Sequence, residues 1–222
     1  FSSDGRQILF SKQGDQATEL FIIDVGGGEA RHLPMPLDVD AGDDVSFDQP
    51  TWGPGARTIA FWVWRRSEQQ SPDSGNVYRA DIDGQHLALL TDGMGRNRDP
   101  AWSPDGARIA FYGERPEGAG IFLINANGGR PTLLPSEKAI GGPSWAPDSG
   151  WLTFASTRDG NQDIFIMRAD GTEAVNLTQG VPQADHSPAW SPASLPSIPT
   201  AAEGSSWGQV KQTPTPSPRL IR

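Results

Sequence analysis

The feature that most constrains this chain is a segment it writes repeatedly. "DPAWSPDGARIAF" (99–111) aligns with "QPTWGPGARTIAF" (49–61), with "GPSWAPDSGWLTF" (142–154) and, Phe1 standing in for tryptophan, with "FSSDGRQILF" (1–10). "SPAWSP" (187–192) begins one more copy. The anchors are Phe1, Trp52, Trp102, Trp145 and Trp190, and each complete copy places a Phe nine residues later, at Phe10, Phe61, Phe111 and Phe154. Self-similarity with a period in the forties and no helical spacing restricts the fold to an array of one small supersecondary unit.

The unit reads as four short strands. "PAW" is the first and "SPDG" the turn that follows, with Pro at i+1 presetting φ and Gly at i+3 of a type I turn. "RIAF" is the second, Ile109 and Phe111 alternating across Ala110. "IFLIN" (121–125) is apolar on both faces, as a strand covered on both sides must be. Its frame, "IFLINANGGRPTLL" (121–134), returns as "LFIIDVGGGEARHL" (20–33), "IFIMRADGTEAVNL" (164–177) and, displaced by six inserted residues, "VYRADIDGQHLALL" (77–90). The fourth strand closes on Leu, twice followed by Thr (Leu90-Thr91, Leu177-Thr178). Four-stranded sheets of this length, buried on both faces and repeated, predict an all-β fold, a β-propeller of antiparallel blades. A TIM barrel or a Rossmann fold needs helices between strands, and a plain sandwich does not require repeats this regular. The expected units lie near 1–45, 46–95, 96–138 and 139–183, with a partial fifth at 184–192.

"AWSPDGARIAF" (101–111) followed by "STRDGNQDIFIMRADGTEAVNLT" (156–178) resembles the WD40-like propeller repeat of TolB-like proteins over roughly residues 1–192. Related repeats form the propellers that precede the catalytic domain in prolyl-oligopeptidase-like enzymes. The resemblance implies six or more blades in a closed ring, so four units and the start of a fifth look like a fragment with an open blade face. The turn varies: the second unit writes "WGPG" and lacks the Asp, and the fourth writes "APDSG". After Pro192 the periodicity stops, and 193–222, with its "TPTPSP" run, reads as a linker or disordered tail.

Asp and Glu outnumber Lys and Arg by 27 to 18, a net charge of −9, which argues against nucleic-acid or anionic-membrane partners. No Cys is present, excluding disulfides, thiolate catalysis and cysteine-based zinc sites. No apolar run approaches the ~18 residues of a membrane helix. No signal peptide is visible in a chain that begins at Phe1. Neither a cofactor nor a metal is expected.

Three motifs invite a chemical reading. Gly204-Ser205-Ser206-Trp207-Gly208 fits the G-x-S-x-G nucleophile elbow, but no buried strand precedes it and residues 209–222 hold no Asp, Glu or His, so Ser206 is not read as a nucleophile. "DGNQD" (159–163) imitates the start of a calcium loop, yet Ile164 stands where the loop needs glycine, and a hairpin turn accounts for it. His32, His86 and His186 are scattered; the first two fall near fourth strands and His186 at the entry to an innermost strand.

Two insertions in the second unit carry the preferred recognition surface. "PMPLDVDAGDDVSFDQ" (34–49) enlarges the connection into it and holds Asp38, Asp40, Asp43, Asp44 and Asp48. The other falls within "VWRRSEQQSPDSGN" (63–76), after Trp62 and Trp64, and holds Arg65 and Arg66. An up-and-down path brings both loops to one end of one blade. The aspartates read either as a solvated loop, as partners of Arg65 and Arg66, or as an attractor for a basic peptide or cation; the tryptophans read as blade packing or as a partner contact. The expectation is a non-enzymatic scaffold that binds a protein or ligand, periplasmic or otherwise extracytoplasmic by the TolB-like resemblance. The alternatives are the gating propeller of a prolyl-oligopeptidase-like serine peptidase and the sensor domain of a bacterial membrane receptor kinase.

Overall fold

The computed structural model describes residues 1–14, 17–37, 44–66, 75–91, 95–115, 118–180, 184–185 and 188–190, with Asp44 and Arg66 through their backbone. Among these the protein is built from antiparallel strands and contains no α-helix. The first sheet holds β1 (Gln7–Gln13), β2 (Thr18–Asp24) and β3 (Arg31–Leu33). The second unit is β4 (Asp44–Trp52), β5 (Thr58–Arg66), β6 (Gly75–Asp81) and β7 (Ala88–Leu89). The third is β8 (Arg96–Trp102), β9 (Arg108–Arg115), β10 (Gly118–Asn125) and β11 (Thr132–Leu133); the fourth is β12 (Ser144–Trp145), β13 (Trp151–Ser156), β14 (Asp163–Arg168) and β15 (Val175–Asn176). Each runs in simple up-and-down order. One parallel pairing, Gly75 with Arg96, joins the second and third units into a continuous sheet.

The repeat explains these elements residue by residue. Each recurring Phe lies directly across from an aromatic partner on the next strand: Phe10 opposite Phe21, Phe61 opposite Tyr78, Phe111 opposite Phe122 and Phe154 opposite Phe165. All four pairs are stacked, with centroids 5.6–6.2 Å apart. A cation caps three of them: Lys12 over Phe21, Arg115 over Phe111 and Phe122, and Arg158 over Phe154 and Phe165, the last at 4.1 Å. Alternation then sorts each second strand between two neighbours. Ile59, Phe61 and Val63 pack toward the first sheet, whereas Ala60 belongs to the core shared with Trp102, Ile109 and Phe111 of the third. Burial on both faces, which the apolar runs require, follows from this stacking.

Polar residues of the repeat close its turns and edges. In the "SPDG" turn the Ser103 hydroxyl donates to Asp105 at 2.6 Å, and the Ala107 amide donates to the same carboxylate at 2.9 Å. Ser2, Asp4 and Arg6 repeat the arrangement in the first unit. These donors hold the Asp4 and Asp105 carboxyls below the ordinary carboxylate range. The hydroxyl that follows the fourth strand accepts a third-strand amide: Thr91 from Val77 at 3.1 Å, Ser136 from Ile121 at 2.7 Å and Thr178 from Ile164 at 3.0 Å.

First strands of successive units touch, β4 against β8 and β8 against β12, so they form the inner edge around which the sheets fan. Two of the anchor tryptophans stitch this edge: Trp145 Nε1–H donates to the Ala101 carbonyl at 2.9 Å, and Trp190 Nε1–H to the Ser144 carbonyl at 3.3 Å. In the second and third units the first strand is longer than the three residues read from sequence, nine residues in β4 and seven in β8. β4 takes up the end of the first insertion, which puts Asp44 and Asp48 on a strand rather than in a connecting loop. The reason lies in "DVSFD" (44–48), whose Val45 and Phe47 alternate with polar residues and pack against the first sheet.

Candidate functional site

The site is built on the inner edge and on the end of the second unit where the insertions attach. Asp38, Asp40 and Asp43 lie outside the described residues, as do 67–74, His186 and the G-x-S-x-G segment. What flanks the two insertions does meet: β4 begins where β5 ends, with Asp44 opposite Arg66, Val45 opposite Arg65, Ser46 opposite Trp64 and Asp48 opposite Trp62. Trp62 and Trp64 share the face of β5 that carries Ala60, turned toward the third unit, and both are half-buried. The Trp62 indole lies over Gly75 so closely that a Cβ there would come within 2.0 Å of its Nε1. That nitrogen is buried with no hydrogen-bond acceptor among the described residues.

A second group emerges one strand inward, and sequence reasoning missed it. β4 and β8 each carry a bulge before the anchor, between Asp48 and Thr51 and between Arg98 and Ala101. At both bulges the residue before proline is left-handed, Gln49 at φ 50° and Asp99 at φ 54°. This conformation is costly for a residue with a Cβ. The kink turns side chains across unit boundaries. Gln49 Oε1 accepts the Asp99 amide at 2.8 Å, and the Ser11 hydroxyl of the first sheet donates to Asp48. Asp99 accepts Arg98 Nη1–H at 2.6 Å and the backbone N–H of Gly142, the counterpart residue of the fourth unit. Arg98 in turn stacks on Tyr112 at 4.6 Å.

Electrostatics mark the same place. Burial pushes the Asp99 carboxyl up from its ordinary value; Arg98 and the Gly142 amide oppose the rise, and the Asp48 charge adds to it. The Tyr112 hydroxyl is also raised, by burial and by its neighbour Glu114. A half-buried carboxylate disfavoured in its charged form thus lies beside a second carboxylate and a guanidinium. The available signal was the residue before proline in "FDQPTW" (47–52) and "RDPAW" (98–102), which shows a strand interruption but not its handedness.

Elsewhere the histidines and the "DGNQD" segment are described by ordinary contacts. His32 pairs with Glu19 at 3.6 Å and His86 with Asp81 at 2.7 Å, both on the surface. Asp163 opens β14 and accepts amides from Asn161 and Asn176, a turn closure. Among the described residues no group of His, Asp or Glu is arranged to hold a metal ion, and no helix is long and apolar enough to cross a membrane.

No family model matches the chain. Over 91 residues it is 31% identical to an uncharacterized peptidase, YuxL, of Bacillus subtilis (strain 168), a match spanning 40% of this chain and 14% of the relative. Among solved structures it superposes on TolB from Acinetobacter baumannii with a TM-score of 0.61 and 20% identity, over 79% of this chain and 41% of TolB. It superposes on a puromycin-hydrolyzing peptidase of Mycobacterium tuberculosis with a TM-score of 0.58 and 17% identity, over 80% of this chain and 29% of the peptidase. The chain therefore has the fold of the TolB and prolyl-peptidase propellers, and it spans less than half the length of each of these proteins.

Proposed function

We propose that this chain is a non-enzymatic segment of an incomplete propeller ring, four blades and the start of a fifth, that binds a protein or peptide partner outside the cytoplasm. Residues 1–192 form the propeller segment and 193–222 a linker. The observation that carries the reading is the polar inner edge. The packing of the repeat accounts for the stacked aromatics and turn aspartates, but not for Asp48, Gln49, Arg98 and Asp99, two of which stand at strained φ. A rigid fan of sheets presenting a preset, partly desolvated acidic edge suits a basic peptide laid along it. The half-buried Trp62 and Trp64 extend that surface at the end where β4 begins and the acidic insertion (34–49) attaches. The likeness to TolB supports the scaffold role and the extracytoplasmic location.

The test is capture of an Arg/Lys-rich peptide by the immobilised chain at low and high salt. Asp48→Asn combined with Asp99→Asn should weaken capture about tenfold or more. Alanine at Asp43, Asp44 and Trp64 should weaken it further without unfolding the chain. Equal capture by wild type and the double variant would remove the inner edge from the reading.

A peptidase-associated propeller is the second reading, supported by the stretch shared with YuxL. The chain itself should then lack hydrolase activity, and the longer polypeptide should carry Ser, Asp and His in hydrolase order beyond this segment. Activity of the isolated chain that vanishes on Ser206→Ala would overturn both readings.

A further inference from the structure

At the end opposite the insertions, a cleft of about 270 Å³ opens between the third and fourth units. Arg108, Asn125, Arg130, Thr132 and Asp170 supply its polar side chains, beside Leu123 and Leu134. Its size lies just under the ~300–1,000 Å³ of drug-sized pockets, which restricts an occupant to a small molecule or a single residue.

The repeat separates what the fold needs here from what it does not. Arg108 is the first residue of β9, and the first residues of β1, β5 and β13 are Gln7, Thr58 and Trp151. Arg130 stands in the frame where the other units write Glu29, His86 and Glu173. Two arginines thus meet in one cleft at positions where the same architecture accepts neutral or acidic residues. The strand pairing of the other units does without an arginine at either position.

Arg108 is held ready rather than neutralised. Its Nη2–H donates to the Ser149 carbonyl at 3.1 Å, its Nη1–H to the Ala169 carbonyl at 3.4 Å, and its Cζ lies 5.0 Å from the Trp145 ring centroid. All three partners are neutral. Among the described residues no carboxylate lies within ion-pair distance of Arg108 or Arg130. The neighbouring Asp105 is turned to its own Ser103 and Ala107. A guanidinium fixed by carbonyls and an aromatic face, with a second guanidinium exposed beside it, is preorganised for a planar oxyanion. Asp170, whose Oδ1 is occupied by the Thr172 amide and hydroxyl, leaves its second oxygen at the rim.

We propose that this cleft binds the α-carboxylate of an aliphatic amino acid, free or as the C-terminal residue of a peptide, with Arg108 and Arg130 on the carboxylate and the side chain over Leu123 and Leu134. The acidic inner edge and its partner play no part in this site. Calorimetric titration of the chain with leucine, N-acetyl-leucine, leucinamide and inorganic phosphate tests it. A carboxylate-bearing leucine should bind, and leucinamide should bind at least about tenfold more weakly. Arg130→Glu and Arg108→Gln, residues other units already carry, should each weaken binding by about tenfold or more. The unfolding midpoint of the exposed Arg130→Glu variant should be unchanged, so a loss of binding there cannot be a loss of fold. Asp170→Asn separates the two sources: weaker leucine binding with unchanged N-acetyl-leucine identifies a free amino acid, and no change in either identifies a peptide end. Leucinamide or phosphate binding as tightly as leucine, binding unaffected by Arg130→Glu, or no binding by any probe would overturn the proposal.

Discussion

The fourth and second units solve the same packing problem with different degrees of obedience to the repeat. In the fourth, every residue of β13 is buried, the inner strand is two residues long, and a glycine, Gly142, stands before the proline. In the second, the inner strand extends to nine residues, Gln49 holds the equivalent kink at positive φ, and β5 exposes part of Trp62 and Trp64. The comparison teaches where selection for packing ends. Where the repeat is kept, each side chain is fixed by its neighbours. In the second unit, where it is broken, the inner strand carries polar groups such as Asp48 and Gln49 that the packing itself does not require.

The largest effect should come from removing the packing that the fourth unit keeps. Phe154 is fully buried, stacked on Phe165 and capped by Arg158, so Phe154→Ala should cost about 3–5 kcal/mol in denaturant unfolding. Trp64→Ala in the second unit should cost less than half of that. Equal losses would show that the half-buried tryptophan is as structural as the Phe pair.

The inner kink gives the next test. A Cβ on Gly142 would come within 2.3 Å of the Asp99 Cβ, so Gly142→Ala should destabilise by about 1–3 kcal/mol through the third–fourth contact. A neutral outcome in thermal melts would mean that the two units can part without strain. Trp145→Phe removes the indole bond to Ala101 and should cost about 1 kcal/mol. Trp52→Phe should cost less, because Trp52 Nε1 has no acceptor among the described residues. The reverse ranking would contradict the stitching of units through their anchors.

The smallest effect concerns Asp99 and carries a sign. Its carboxyl is raised above 3.8 in the folded chain by burial, so the fold favours the protonated acid. The stability it contributes is present below the unfolded value and lost as pH rises through the folded one. Asp99→Asn should therefore be neutral or mildly destabilising at low pH and stabilising at neutral pH, read as the pH dependence of the melting midpoint. The same substitution should weaken capture of a basic peptide, so stability and binding move in opposite directions.

Much of this molecule was legible in advance. The alternation around Ile109 and Phe111, the Pro and Gly of the turn and the Leu-Thr ending fix strands, turns and edges, because each acts through neighbours close in sequence. The second insertion and the Trp62/Trp64 strand were also visible as departures from the repeat. Other features could not be read. The extension of β4 through Asp44 looked like loop because its aspartates outweighed the alternation of Val45 and Phe47. Asp99 stood first in the most repeated segment and still hid its role, since its contacts come from Gln49 and Gly142, some fifty residues before and forty after.

The sequence by itself determined the unit: a four-stranded antiparallel meander with aromatic stacks and closed turns, stamped at a period that lets the sheets lie face to face. Only the tertiary structure decided which departures from that unit share a site. Arg108 and Arg130 become one cleft, and Asp48, Gln49 and Asp99 one edge, because stacking sheets brings equivalent positions of successive repeats together. Local sequence sets the backbone of each repeat; the chemistry between repeats depends on distances that no local pattern encodes.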